Sequence, residues 1–331
     1  MSTSLLLSAL HPQSVVCIAG GMYRFVARRL LLILPIFLVA STLLFSLLYL
    51  MPGDPARTIA GPQAGPGQVA KIRHDLGIDR PVYVRYFEWL GGIFRGDLGR
   101  SWQTHRNVST MIIERLPLTV ELTIAAFLFS LALGIPLGII AALKRGTKVD
   151  YACMGVALFG VSMPSFWQAL MMMLIFGVWL GWIPALGGHA GPVYLILPAI
   201  ALGTHLSGVV SRMTRSSMLD VLNEDYIRAA RAKGLRERTV IYTHALKNAF
   251  IPVATLLFLR LPFIFGGSII IEQIFQWQGM GWLMISAINN RDYLLIQGTA
   301  LMFIILVMIA NLLADVSYAY LDPRVRYGER R

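Results

Sequence analysis

Long runs of apolar residues are the feature that most constrains how this chain can fold. A helix needs about 20 mostly apolar residues to cross the hydrocarbon core of a membrane, which is about 30 Å thick. Six runs in the 331-residue sequence have approximately this length or more, and they are Leu30–Met51, Leu118–Leu143, Ala152–Leu180, Val193–Val210, Pro252–Ile274 and Leu295–Tyr320. The sequence therefore predicts an all-α integral membrane protein with six transmembrane helices.

Prolines interrupt or border several of these runs. The third run has 29 residues and contains Pro164, which predicts a tilt, a kink or an early end at that position. The fourth run is shorter and carries Pro198. Pro252 is expected to open the fifth span, after a separate cytoplasmic helix at Glu237–Asn248.

The composition excludes a soluble chain, and the charge distribution orients the spans. Hydrophobic residues make up 56% of the chain and charged residues 14%, whereas soluble proteins are about 25% charged. In so apolar a chain the net charge of +12 indicates basic cytoplasmic loops rather than a nucleic-acid partner. Eight basic residues lie between the fourth and fifth spans, namely Arg212, Arg215, Arg228, Arg231, Lys233, Arg236, Arg238 and Lys247. Placing this loop inside the cell makes both termini cytoplasmic.

The spans divide the chain into segments. Residues 1–21 are interpreted as a doubtful N-terminal extension, because Met22 opens a basic stretch typical of the start of a membrane protein; a signal peptide is the alternative. The other segments are a first transmembrane helix at 22–51, an outer segment at 52–117, a five-helix core at 118–320 with a cytoplasmic loop at 212–251, and a cytoplasmic tail at 321–331.

The outer segment predicts two short amphipathic helices. One spans Gly67–Leu76. The other begins with Asp79 as a cap and Pro81 near its first turn, and it ends at Gly91. The two helices either lie on the lipid interface or form a cap that receives a soluble partner.

The large cytoplasmic loop predicts a short, well-capped helix suited to act as a lever for another protein. Asn223 is placed to cap it, the charges of Glu224 and Asp225 suit the positive end of its dipole, and Gly234 follows as the stop. Arg228 is spaced to pair with both acidic residues. The alternative is a solvated amphipathic loop. The candidate lever residues are Glu224, Asp225, Arg228, Ala229, Ala230, Lys233 and Gly234.

The same stretch resembles the signature of a known family. The EAA motif of ATP-binding-cassette (ABC) importer permeases reads Glu-Ala-Ala, three residues and Gly, and this chain has Arg228-Ala229-Ala230-Arg231-Ala232-Lys233-Gly234. Arg in place of Glu is the form usual in the dipeptide, oligopeptide and nickel group. Other stretches similar to that group follow in order, namely Pro52-Gly53-Asp54-Pro55-Ala56, Leu76-Gly77-Ile78-Asp79-Arg80-Pro81, Gly96-Asp97-Leu98-Gly99-Arg100-Ser101, Ser162-Met163-Pro164-Ser165-Phe166-Trp167, Gly266-Gly267-Ser268 and Leu321-Asp322-Pro323-Arg324. The resemblance runs from about Met22 to Tyr327.

This resemblance implies a type I ABC importer permease in a bacterial inner membrane. It implies a second, similar permease around a shared path, two cytoplasmic ATPases that receive a coupling helix at about Glu224–Gly234, and a binding protein that delivers the solute. The chain has no G-x-x-x-x-G-K-[ST] pattern, so ATP and Mg²⁺ are expected on the ATPases, with no cofactor and no enzyme activity in this chain. The implied solute is a dipeptide or oligopeptide. Nickel or a metal chelate is the alternative within the family, and an ion-driven secondary transporter is the alternative from another class.

Polar residues inside the spans predict either pairing or a role in the path, because isolated polar groups are costly in lipid. Arg260 lies at about the same depth in span five as Asn311 and Asp315 in span six, so a contact between them is expected. The alternative is that Arg260 lines the path and meets an acidic group of the solute. Glu121 and Glu272 are expected to be interfacial or satisfied by backbone groups rather than to bind a metal, and no metal site or catalytic residue is predicted.

Overall fold

The computed structural model describes most of the chain, namely residues 12–50, 55–61, 63–75, 79–184 and 191–321. The first part of the predicted extension 1–21 and nearly all of the tail 321–331 lie outside these ranges. Every regular element within them is a helix, apart from an isolated β-bridge between Arg100 and Asn107. The prediction of an all-α chain is therefore confirmed.

The helices follow one another with short connections. They are α1 Pro12–Leu50, α2 Pro55–Ala60, α3 Pro66–Asp75, α4 Val82–Phe94, α5 Val108–Leu143, α6 Lys148–Ser162, α7 Ser165–Met172 with a π-helical extension Met173–Trp179, α8 Val193–Leu222, α9 Asp225–Ala232, α10 Glu237–Thr239 with a π-helical turn Val240–Ala245, α11 Leu246–Phe275, α12 Met280–Asn289 and α13 Tyr293–Leu321.

Five of the described helices are long and apolar enough to cross a membrane. They are α1, α5, α8, the continuous helix from α10 through α11, and α13. The bent pair of α6 and α7 makes a sixth if its two halves are taken as one span. This architecture agrees with the six apolar runs of the sequence.

The third predicted span, Ala152–Leu180, is sharply broken. Its two halves, Lys148–Ser162 and Ser165–Trp179, meet at an angle of 105°. Met163 has an extended backbone with φ −85° and ψ 133°, as expected for a residue that precedes proline. Pro164 is extended as well and leads into α7. The proline therefore divides the run near its middle and turns the second half aside.

Other helices extend past their predicted ends. α5 begins at Val108 and α8 continues to Leu222, because an apolar run marks only the part of a helix that lies in hydrocarbon. The helix expected at Glu237–Asn248 and the fifth span form one continuous helix, Glu237–Phe275. Pro252 lies in the second turn of α11 and removes one hydrogen bond without ending the helix.

Helices α5 and α8 cross very closely, and glycines permit that approach. A methyl group added at Gly138 would lie 2.5 Å from Cβ of Thr214 and 2.6 Å from the carbonyl oxygen of Ser211. At Gly134 an added methyl group would lie 2.9 Å from Cβ of Val210. Small residues let helix backbones pack tightly in a membrane, where water does not drive apolar association. The largest buried apolar cluster, from α5, α7, α8 and α11, surrounds this crossing.

The outer helix α4 packs against the first span. The hydroxyl groups of Ser41 and Tyr86 lie 3.0 Å apart, and Thr42 donates a hydrogen bond of 3.0 Å to the same tyrosine oxygen. The ring of Phe45 packs edge-on against Tyr86 with 5.5 Å between centroids. The neighbouring apolar residue Phe87 is exposed. One part of the apolar surface of α4 therefore covers α1, while another part remains uncovered.

Replacing Gly138 with alanine is expected to destabilise the protein by about 1–3 kcal/mol, because the added methyl group overlaps α8. The matched control is Gly155→Ala in α6, where an added Cβ meets nothing within 4 Å. Each variant replaces a glycine within a helix by alanine, and this replacement by itself favours the helix by about 1 kcal/mol. Thermal unfolding in detergent should separate the two variants, and equal midpoints would contradict the close crossing.

Candidate coupling site and intramembrane polar residues

The short helix α9, Asp225–Ala232, is the element predicted to act as a lever. Its N-cap is Glu224, whose backbone is extended with φ −70° and ψ 147°. The predicted cap at Asn223 is wrong, because Asn223 belongs to the end of α8 and its side-chain amide donates to the carbonyl of Leu219 at 2.9 Å. Asp225 occupies the first turn, where its charge favours the helix dipole.

Gly234 ends α9 in a left-handed conformation with φ +77°. Its N–H donates to the carbonyl of Arg231 at 2.9 Å, and the N–H of Lys233 donates to that of Ala229 at 3.1 Å. The N–H of Leu235 reaches back to the carbonyl of Ala230 at 3.4 Å. A residue with a side chain is strained at positive φ, so glycine suits this stop.

The two faces of α9 differ in what they contact. Ile227 is fully buried and Ala230 nearly so, both against the rest of the chain. Ala229 is exposed on the opposite face. Arg228 is also exposed and pairs with Asp225 at 3.4 Å, as the spacing predicted. Of the two adjacent alanines in the motif, one therefore packs inward and the other points outward.

Buried residues below α9 connect it to three long helices. We call this set the anchor cluster, and it consists of Ile139, Ala142, Met218, Ile227, Ala230, Val240, Ile241, Ala245 and Ala249. These residues come from α5, α8, α9, the π-helical turn and α11. Because these residues are buried against one another, α9 is packed firmly onto the adjoining ends of these helices.

Two polar contacts tie α9 to the following helices. Arg231 pairs with Glu237 at 2.8 Å, and the hydrogen bonds that its guanidinium donates to that carboxylate raise the pKa of Arg231. The side-chain amide of Asn248 donates to the hydroxyl of Tyr226 at 2.7 Å. The helix is therefore held to α10 and α11 near both of its ends.

A bidentate ion pair that the sequence analysis did not predict lies beside the anchor cluster. Arg215 of α8 donates from Nε and a terminal nitrogen to the two carboxylate oxygens of Asp150, each at 2.7 Å. The N–H of Gly146, in the turn between α5 and α6, donates to the same carboxylate at 3.0 Å. The Asp150 side chain is 3% exposed and that of Arg215 28%. The ion pair thus joins α8 to the start of α6, and the Gly146 hydrogen bond adds the turn before it. Because the two partners lie 65 positions apart, no local pattern in the sequence indicates this pair.

The predicted contact between Arg260 and span six is wrong. Asp315 pairs instead with Arg29 of α1 at 2.8 Å. Arg260 is exposed and its guanidinium lies 5.4 Å from the ring centroid of Phe263, one turn along the same helix. Asn311 is exposed as well. Two residues at the same depth in the membrane need not lie on the sides of their helices that face each other. Here Asp315 faces α1, whereas Arg260 forms no ion pair with span six in the part of the chain that the structure describes.

Glu272 is satisfied by backbone groups, as predicted, and it caps a helix. Its carboxylate accepts hydrogen bonds from the N–H groups of Gly281 at 2.8 Å and Trp282 at 3.1 Å, in the first turn of α12. The hydroxyl of Thr119 in α5 donates to it at 2.7 Å. A methyl group added at Gly279 would lie 2.6 Å from the carboxylate, so the chain needs glycine there. This buried joint links α5, α11 and α12. Within the described residues no group of three His, Cys, Asp or Glu is arranged to hold a metal.

In the part of the chain that the structure describes, five apolar helices and one broken pair, with a short helix packed onto the ends of three long ones, form the architecture of a type I ABC importer permease. The MetNI methionine ABC transporter, solved in inward-facing conformations, has a similar fold. The TM-score is 0.55 at 16% sequence identity, and the match covers 64% of this chain and 96% of that chain.

This chain belongs to the family of binding-protein-dependent transport system inner membrane components. Residues 134–327 match that family, and residues 22–123 match its N-terminal counterpart. The chain is 41% identical over 306 residues to the glutathione transport system permease protein GsiC of Salmonella typhi, covering 92% of this chain and 100% of that protein. It is 41% identical over 333 residues, with the same coverage, to the dipeptide transport system permease protein DppB of Alkalihalophilus pseudofirmus. The chain is therefore a multi-pass inner-membrane transport subunit rather than an enzyme, and it works with other subunits of an ABC importer.

Replacing Glu272 with alanine is expected to destabilise the protein by about 3 kcal/mol or more, because two N–H groups and a hydroxyl lose their buried acceptor. The control is Glu114→Ala, which removes an exposed ion pair with Arg106 and is expected to change stability by about 1 kcal/mol or less. Thermal unfolding and hydrogen exchange at the start of α12 measure both effects. Unchanged exchange there in Glu272→Ala would contradict the capping role.

Proposed function

We propose that this permease and a second permease form the path by which a peptide-like solute enters the cell. The assignment of a peptide-like solute is supported by the names of the relatives, which are permeases for glutathione and for dipeptides. Both relatives match this chain along their whole length. Both names describe short peptides. A solute-binding protein brings the solute from outside, two cytoplasmic ATPases drive the cycle, and both termini of this chain lie in the cytoplasm.

The coupling step is assigned to α9. Its outward face, with Asp225, Arg228 and Ala229 exposed, is offered to an ATPase, while Ile227 and Ala230 hold it to the anchor cluster. Closure of the ATPases around ATP would push α9, and the cluster passes that movement to α5, α8 and α11. Movement of these spans opens the path alternately to the two sides of the membrane. The geometry of α9, exposed on one face and anchored on the other, is the observation that carries this proposal.

The segments of the chain then have distinct tasks. Residues 22–51 supply the first span and 52–117 the outer surface. The core is 118–320, and the tail is 321–331. Within the loop 212–251, residues up to Leu222 continue α8, so the part that meets the ATPase begins at Asn223 and includes Lys233 and Gly234.

Reconstituted into proteoliposomes with its second permease, ATPases and binding protein, the permease is expected to import a labelled tripeptide when ATP is present and no ion gradient exists. Peptide uptake that persists in ATP-depleted vesicles with an ion gradient would identify a secondary transporter. ATP-dependent uptake of nickel without uptake of peptide would identify the metal as the solute. Either result would contradict the proposal.

Cysteine substitutions at the two neighbouring alanines should separate the faces of α9. With Cys17 and Cys153 replaced by alanine, Ala229→Cys is expected to cross-link to an ATPase subunit through a short bifunctional reagent, because residue 229 is exposed. Ala230→Cys is the matched control and is expected not to react, since residue 230 is 9% exposed and packs against the anchor cluster. Cross-linking of the Ala230 variant alone would show that the faces are assigned the wrong way round. Denaturing gel electrophoresis reads out both variants.

A further inference from the structure

A cavity lies beside the break in the third span. Its volume is about 420 Å³, and small-molecule sites commonly have about 300–1,000 Å³. Ser162, Pro164 and Ser165 line it at the break, and His205 of α8 and Arg260 of α11 line it from the facing helices. Leu202, Leu206, Phe263 and Ile264 complete an otherwise apolar wall. A cationic side chain and several polar groups therefore line one cavity beside the break.

Arg260 has no carboxylate partner among the described residues, and its nearest aromatic neighbour is Phe263 at 5.4 Å. It lies near the middle of the continuous helix Glu237–Phe275, far from either end. Charged side chains at such depth face a water-filled cavity or a partner of opposite charge, because lipid would leave them unsolvated. By contrast, Asp315 in the neighbouring span has Arg29. Asp315 is therefore paired within this chain, whereas the guanidinium of Arg260 can still bind an anionic group.

A second cavity continues along α11 from the same arginine. Its volume is about 500 Å³, and it is lined by Met213, Pro252, Thr255, Leu259 and Arg260 among others. These α11 residues precede Arg260 and lie nearer the cytoplasmic end that carries the anchor cluster. Arg260 borders both cavities, so it stands at the junction of two hollows that follow one another along a single wall.

We propose that Arg260 is a recognition point for the free carboxylate of the solute as it passes through the membrane. This inference rests on the proposed function of peptide import. The guanidinium offers planar, paired donors that match a carboxylate, and it stays charged at every physiological pH. His205, Ser162 and Ser165 supply neighbouring polar groups on the same cavity, and the apolar wall accepts side chains of varied shape. Solutes that carry a free carboxylate should therefore cross more readily than the same solutes with that group blocked.

A single cationic side chain also suits the passage of a solute better than a pocket that encloses the solute on all sides. A path must attract its cargo and then release it, so moderate interactions serve better than a full set of hydrogen bonds. A lasting ion pair with an acidic residue of the second permease is the competing explanation for an exposed arginine. The two explanations differ in what they predict for a blocked solute, because a permanent ion pair with the second permease would affect every solute alike.

The experiment compares two solutes in the complete importer in proteoliposomes, with wild-type chain, Arg260→Gln and Arg260→Lys. The solutes are one labelled tripeptide with a free C-terminal carboxylate and the same tripeptide as its C-terminal amide. For each solute the initial rate of ATP-dependent uptake by the variant is divided by that of the wild type, so any preference of the binding protein cancels. Stimulation of ATP hydrolysis by the loaded binding protein reports whether each complex is assembled and coupled.

Arg260→Gln is expected to lower uptake of the free-carboxylate tripeptide by about tenfold or more, since the interaction lost is a charged hydrogen bond. Uptake of the amide should stay within about twofold of wild type. Arg260→Lys should restore part of the rate for the free carboxylate, because lysine keeps the positive charge but lacks the paired donors. An equal fall for both tripeptides would overturn the inference and leave Arg260 a structural role. A fall reversed by neutralising an acidic residue of the second permease would overturn it in favour of the ion pair. A wild-type importer that takes up neither tripeptide would refute the proposed function itself, and the inference with it.

Discussion

The close crossing of α5 and α8 is the contact on which the other parts of this permease depend. In hydrocarbon, backbone groups must be bonded within each helix, and helices associate by shape rather than by expelling water. Gly134 and Gly138 let α5 approach α8 until backbone and Cβ atoms touch. The C-terminal end of α8 leads directly into α9, and Arg215 of the same helix pairs with Asp150 at the start of α6. Helix α9, to which we assign the coupling step, therefore follows directly from the most tightly packed pair of helices among the described residues.

Breaks in the helices are the places where polar chemistry enters the membrane. At the outer end of α11 the chain turns at Gln276, which has a positive φ of 55°, and the backbone at the start of α12 is capped by Glu272 from the neighbouring helix. At Pro164 the third span turns by 105° and leaves a hollow in front of Arg260. Each interruption leaves backbone groups or space that an unbroken helix would fill. At the turn after α11 the buried carboxylate of Glu272 accepts hydrogen bonds from the free backbone groups. At Pro164 the space remains as a cavity.

How much could be predicted from sequence depended on the range of the interaction. The stop of α9 at Gly234 and the i,i+3 pair of Asp225 and Arg228 follow from neighbours a few residues apart, and both are present. The N-cap was misplaced by one residue, because Asn223 can cap either the end of α8 or the start of α9. The spacing along a helix predicts how deep a residue lies in the membrane. It does not predict which neighbouring helix that residue faces, because this depends on the rotation of the helix about its axis. The expected contact of Arg260 with Asp315 therefore failed.

The sequence by itself determined the all-α class, the apolar runs that become spans, and the position of α9, the proposed coupling helix, since these follow from hydropathy, local caps and spacing along one chain. The tertiary structure decided which alanine of α9 points outward and which partners the buried charges choose. It also decided that the third span bends aside at Pro164. Those outcomes depend on which faces of distant helices meet. The contacts of Asp150 with Arg215, Glu272 with Thr119 and Arg29 with Asp315 join residues far apart along the chain. Only the packing of the whole bundle brings them together.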